Sequence, residues 1–92
     1  MQALSHFKQW LFRKSMPKLP IITPLKLLKV LEGIGFENIG GSGSHCVMKH
    51  ADGRRTTIPM HGRDIPKGTL LAILRDSEIS KDEFIIFLKK KK

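Results

Sequence analysis

The apolar positions change period along the chain, and each change marks an element. Leu27, Leu28, Leu31 and Ile34 repeat at helical spacing, with Lys26, Lys29 and Glu32 on another face. Thr23 is a good N-cap, Pro24 suits the first helical position, and Gly33 and Gly35 mark the end, so an amphipathic helix is predicted between them. Ahead of it, Leu19-Pro20-Ile21-Ile22 reads as an extended apolar lead-in. The pattern then shortens. Residues 36–39, 46–50 and 55–58 read as strands, separated by the flexible run Gly40-Gly41-Ser42-Gly43-Ser44 and by Asp52-Gly53, a strong hairpin signal; Pro59 stops the third. Helical spacing returns with Leu70, Ile73 and Leu74 after Pro66. It recurs in Phe84, Phe87 and Leu88 after Ser80, where Glu83 completes a capping box.

The order helix, three antiparallel strands, helix, helix predicts an α+β fold with the helices on one face of the sheet and the other face open to a surface ligand. Strand alternation places Cys46, Met48, Ile58 and Met60 toward the helices and His45 and Val47 on the open face. Lys49, Arg54 and Arg55 are the cationic neighbours expected for His45 there.

Residues 1–15 read differently. Leu4, Phe7 and Leu11 fall at helical spacing beside Lys8, Arg13 and Lys14, a short basic amphipathic segment able to dock on the body or touch a membrane surface. Met16 offers an alternative start, so residues 1–18 are taken as an N-terminal extension, 19–88 as the domain and 89–92 as a basic tail. The lysines of that tail suit the negative end of the preceding helix.

Composition narrows the class. In 92 residues, 17 Lys+Arg against 8 Asp+Glu give a net charge of +9, the balance of a small domain that meets a polyanion. No apolar run approaches the roughly 18 residues of a membrane span, and no signal-peptide core is visible. One cysteine, Cys46, forms no intramolecular disulfide, which fits a reducing cytoplasm. Multidomain enzymes, cysteine-rich scaffolds, tetracysteine zinc modules and membrane-spanning proteins are excluded.

The chemistry rests on histidines, the side chains that change charge near neutral pH. Of the four, His6 lies in the extension and has no assigned role, and His50 reads as a solvated residue at the hairpin end. His61 follows Pro59-Met60 in a loop and could flank a phosphate site. His45 follows Gly43-Ser44 at the mouth of a strand, where glycines let a phosphate approach and the Ser44 hydroxyl can donate a hydrogen bond. His45 and His50 are an odd number of strand positions apart and point to opposite faces, and no His-x-x-x-His or Cys-x-x-Cys spacing occurs, so no metal site is predicted. Cys46 points inward, as an inert thiol does. RNA cleavage suits so sparse a set. The 2′-hydroxyl is an internal nucleophile, a histidine moves the protons, and cations with backbone N–H groups hold the phosphate without a metal or other cofactor.

At Gly43-Ser44-His45 the chain resembles the HicA family of bacterial toxins, the messenger-RNA interferases of HicA–HicB toxin–antitoxin pairs. The resemblance runs from Leu19 to Leu88. Its pieces are Leu27-Leu28 through Gly35-Phe36, Gly43-Ser44-His45, His50-Ala51-Asp52-Gly53-Arg54, Ile58-Pro59-Met60-His61 and Pro66-Lys67-Gly68-Thr69-Leu70. It implies a double-stranded-RNA-binding-domain-like fold with an extra C-terminal helix, cytoplasmic cleavage of messenger RNA, and a HicB-type antitoxin that covers the active face. It carries the family's catalytic histidine onto His45, with Gly43 and Ser44 completing the motif. Substrate contacts are expected from Gly43, Ser44, Lys49, Arg54, Arg55 and His61. Two competing readings stand beside it: a noncatalytic module that binds double-stranded RNA by shape, and a small basic protein whose surface serves only a protein interface.

Overall fold

A computed structural model describes residues 19–90. The basic segment at residues 1–18, His6 included, and Lys91 and Lys92 lie outside the described residues.

The first helix, α1 (Pro24–Ile34), begins where Thr23 Oγ1 accepts from the Lys26 N–H at 3.2 Å, with Pro24 in the first turn. Leu27, Val30 and Leu31 are fully buried and form the stripe that faces the rest of the molecule. Gly35 ends the helix with φ +119° and donates its N–H to the Leu31 and Glu32 carbonyls. Glycine is needed there twice over, because a Cβ would also stand 2.8 Å from His50 Nε2.

Strands β1 (Phe36–Asn38), β2 (His45–His50) and β3 (Arg55–Pro59) form an antiparallel sheet in the order β1-β2-β3. In its register Phe36 faces His50, Cys46 faces Ile58 and His45 faces Pro59. The sheet is therefore one residue shorter in β1 than the alternation predicts. It also reaches one residue further at the other end, taking in His45 and Pro59. Pro59 is tolerated because it sits at the end of an edge strand.

Helix α2 (Lys67–Asp76) starts one residue after Pro66, and α3 (Lys81–Lys90) starts at the predicted capping box. There the Ser80 N–H donates to Glu83 Oε1 at 3.0 Å and the Glu83 N–H to Ser80 Oγ at 3.1 Å. Lys89 and Lys90, expected in a tail, are the last turn of α3, where they complement the helix dipole. Helix α1 packs on β1, β3 and α3, and α2 packs on β3. Leu27, Leu31, Met48, Ile58, Leu70 and Phe84 meet in the core between sheet and helices. The α+β order is compatible with a double-stranded-RNA-binding-like domain, and among the described residues no helix covers the sheet face opposite the core. Among the described residues no helix is long and apolar enough to cross a membrane.

Candidate active site

The site is built by the loop between β1 and β2. The Gly40 N–H donates to Asn38 Oδ1 at 2.9 Å, which turns the chain, and the Val47 N–H donates to the Gly40 carbonyl at 2.6 Å, which folds the loop back over the start of β2. Gly41 passes so close to this strand that a Cβ would stand 2.5 Å from the His45 carbonyl oxygen, and its φ is +138°. The His45 N–H donates to the Ser42 carbonyl and closes the turn. At Gly43 a Cβ would meet nothing within 4 Å beyond its chain neighbours, so the space above it is open.

His45 is exposed at the first position of β2, on the open face. Its Nδ1 lies 3.1 Å from Ser44 Oγ and 3.4 Å from Ser42 Oγ. Both hydroxyls address the same ring nitrogen, so Nε2 is the nitrogen presented outward. His45 also lines an open cleft of about 300 Å³ with Leu28, the glycine loop, Cys46 and Met60.

Strand pairing delivers a second histidine. Pro59 sits opposite His45, and the Met60 N–H donates to the Ser44 carbonyl at 2.8 Å. The next residue, His61, is exposed, and its ring stands edge to face with that of His45, centroids 5.8 Å apart at 72°.

The predicted cations divide. Lys49 and Arg55 are exposed, sit opposite one another in the register and share His45's face. Four strand positions separate Lys49 from His45, about 13 Å at 3.3 Å per residue. They therefore stand on the same open face as His45 but out of contact with its ring. Glu37, paired with Lys49 in β1, shares that face.

Arg54 corrects the expectation that it neighbours His45. It lies two residues before buried Thr56, on the same parity, and so turns to the helix side. There Nη1 donates to the Ser77 carbonyl at 2.7 Å, the guanidinium lies 5.1 Å from the Phe36 ring centroid, and Nε contacts Asp52 Oδ2 at 3.0 Å. That hydrogen bond, above all, holds the Asp52 carboxyl below its ordinary range.

His50 also faces the helix side, half-buried, edge-on to Phe36 at 5.1 Å, its Nδ1 accepting from the Asp52 N–H. It is not the solvated hairpin-end residue the sequence suggests. Among the described residues no three His, Cys, Asp or Glu side chains converge on a common point as a metal site requires. Cys46 is buried with Sγ 3.6 Å from Met48 Sδ. Burial, and secondarily the Glu32 carboxylate, push its thiol pKa up, which disfavours the nucleophilic thiolate.

Ser42 is the site residue that sequence reasoning missed. Its signal was the three-residue spacing to His45, which lets one tight turn bring hydroxyl and ring together.

No curated protein matches the chain. A family model described as the HicA toxin of bacterial toxin–antitoxin systems matches residues 26–79, from α1 through the glycine loop and both site histidines to the turn before α3. That span is more than half of the sequence, and the chain accordingly belongs to the HicA toxins, the toxin members of bacterial toxin–antitoxin pairs, each with an antitoxin partner.

Proposed function

We propose that this toxin is a metal-independent endoribonuclease that cuts messenger RNA in the cytoplasm, with His45 as its general acid/base. The observation that carries this reading is the exposed imidazole whose Nδ1 is engaged by Ser44 and Ser42, so that Nε2 is free for a substrate proton. The 2′-hydroxyl beside the scissile phosphate supplies the nucleophile, and the buried Cys46 thiol takes no part. Gly43 and Ser44 receive the phosphate at the cut, with His61 beside them. Lys49 and Arg55 take the flanking backbone, and the net charge of +9 draws the polyanion in. Arg54 is left out because its guanidinium is committed to Ser77, Phe36 and Asp52. The partner is a HicB-type antitoxin that covers this open face. A basic surface suits an acidic inhibitor as well as RNA.

The test is wild type against His45→Ala, with purified protein on RNA in EDTA and with induced expression in cells, alone or with a HicB-type antitoxin. Wild type is expected to cut in EDTA, leaving 2′,3′-cyclic or 3′-phosphate ends, and to arrest growth unless the antitoxin is present. His45→Ala is expected to bind RNA but cut roughly 10²–10⁴-fold more slowly, the range of one lost proton-transfer group. Binding without cutting by both proteins replaces the enzyme with the noncatalytic RNA-binding module. Equal cutting by both removes His45 from the mechanism.

A further inference from the structure

Cleavage by an internal 2′-hydroxyl needs two proton transfers at opposite sides of one phosphorus. A proton leaves the attacking 2′-oxygen and another reaches the departing 5′-oxygen. A single imidazole serves one of these at a time. The ring of His61 stands 5.8 Å from that of His45, edge to face, and both residues are exposed on the same end of the sheet. Their surroundings differ. His45 Nδ1 is addressed by two hydroxyls, Ser44 Oγ at 3.1 Å and Ser42 Oγ at 3.4 Å. In the tautomer in which Nδ1–H donates to a hydroxyl oxygen, Nε2 keeps its lone pair and is the proton acceptor. Among the described residues, His61 has the ring contact with His45 and no hydrogen bond to either nitrogen. Its nitrogens are therefore open to substrate. The backbone holds the pair in place. Pro59 is paired with His45, and the Met60 N–H is bonded to the Ser44 carbonyl, so the residue that follows is fixed beside the glycine loop.

We infer that His61 is the second proton-transfer group of this site, the general acid that protonates the departing 5′-oxygen while His45 accepts the 2′-hydroxyl proton. The inference rests on the ribonuclease reading above and deepens it. In the step, the 2′-O–H proton passes to His45 Nε2 and a 2′-O–P bond forms. The P–O5′ bond breaks, and a ring N–H of the cationic His61 gives its proton to the 5′-oxygen. The products are a 2′,3′-cyclic phosphate and a 5′-hydroxyl, with His45 now cationic and His61 neutral. Hydrolysis of the cyclic product runs the roles in reverse. His61 takes a proton from water as the water oxygen bonds to phosphorus, His45 returns its proton to the 2′-oxygen, and both side chains are restored.

The experiment uses the full chain and one RNA oligonucleotide cut at a mapped bond. It is made in two forms, with the natural 5′-oxygen or with a bridging 5′-sulfur at that bond. A thiolate leaves without being protonated, so the sulfur form does not need a general acid. His61→Ala is expected to cut the oxygen RNA roughly 10²–10⁴-fold more slowly than wild type, yet to cut the sulfur RNA within about tenfold of wild type. His45→Ala is expected to be slow on both. The two variants alter exposed side chains, and matching thermal unfolding curves confirm intact folds. Equal slowing of His61→Ala on both RNAs overturns the proton-donor role and leaves His61 as a phosphate contact. Wild-type rates on the oxygen RNA remove His61 from the chemistry altogether. In either case the His45 result still stands. If wild type cuts neither RNA, or His45→Ala cuts both at wild-type rates, the ribonuclease reading itself falls, and this inference with it.

Discussion

Arg54 offers a sharp test, because a basic residue in a chain of net charge +9 is here a structural one. Its Nη1 donates to the carbonyl of Ser77, the residue that caps the C-terminal end of α2, at 2.7 Å. Carbonyls at this end of a helix have no intrahelical partner, and a cation there also opposes the helix dipole. Arg54→Ala removes a hydrogen bond from a charged donor to a part-buried acceptor, worth about 1.5–3 kcal/mol. It also removes a cation–π contact with Phe36, worth about 0.5–1 kcal/mol. The ion pair with the exposed Asp52 adds little. After allowance for water that replaces part of the bond to Ser77, a loss of about 2–3 kcal/mol is expected, a fall in Tm of roughly 8–24 °C for a chain of this size. Arg54→Lys should recover only part, since an ammonium lacks the planar fork that reaches three partners. Thermal and urea unfolding followed by circular dichroism, in 0.1 M and 1 M salt, measure it. The loss should persist in high salt because its main component is a bond to a neutral, part-buried carbonyl. The pH dependence has a defined sign. Arg54 depresses the folded-state pKa of Asp52. The associated stability is complete above the unfolded carboxylate pKa and is lost as pH falls through the lower folded value, so wild type gives it up below about pH 4. The variant should lack that part of the acid transition. A change under about 0.5 kcal/mol, or one abolished by 1 M salt, refutes the structural assignment.

Gly41→Ala and Gly43→Ala should separate loop geometry from substrate access. The first meets a left-handed φ and a 2.5 Å clash with the His45 carbonyl oxygen, and should cost about 1–3 kcal/mol in urea unfolding and disturb cleavage. The second meets open space and should stay within about 0.5 kcal/mol of wild type, so that under the proposed function a fall in cleavage reports a methyl standing at the proposed phosphate position. At the end of α2, Glu78 holds φ +56°, the one positive value at a non-glycine among the described residues. Glu78→Gly should stabilise by about 0.5–1 kcal/mol, read as a Tm rise of roughly 2–8 °C.

The elements were legible because each carried a local signal with a mechanism: Thr23 and Pro24 at one helix start, Ser80 and Glu83 at another, Asp52-Gly53 between β2 and β3. The parity of β2 was equally readable, and it put His45 outside and Cys46 inside. What stayed hidden depended on register. Alternation says which face a residue takes but not what lies across the sheet, so the opposition of His45 and Pro59 had no sequence signature. The approach of His61 follows from that pairing. Arg54 was misplaced for a different reason. A cation just after a hairpin turn reads as a neighbour of His45 on the open face, and its actual partners Phe36 and Ser77 are distant in sequence. His50 was misjudged the same way, since the space it fills is set by Gly35 and Phe36.

The same parity divides the labour of the polar residues. On the helix side of the hairpin, His50, Asp52 and Arg54 satisfy one another and the end of α2, and they are spent on stability. On the open side, His45, Lys49 and Arg55 are exposed. The two sets lie on opposite faces of one hairpin, which therefore serves both. A one-residue slip in β2 would bury His45 and expose Cys46 and Met48 at once. The cost of exposing Met48, now fully buried, works with the Asp52-Gly53 turn against such a slip and so favours the register that holds His45 and His61 within ring contact. In this fold the apolar face of β2 is a positioning device for the histidines on the other side, and a core substitution such as Met48→Ala should impair the site through register as well as stability.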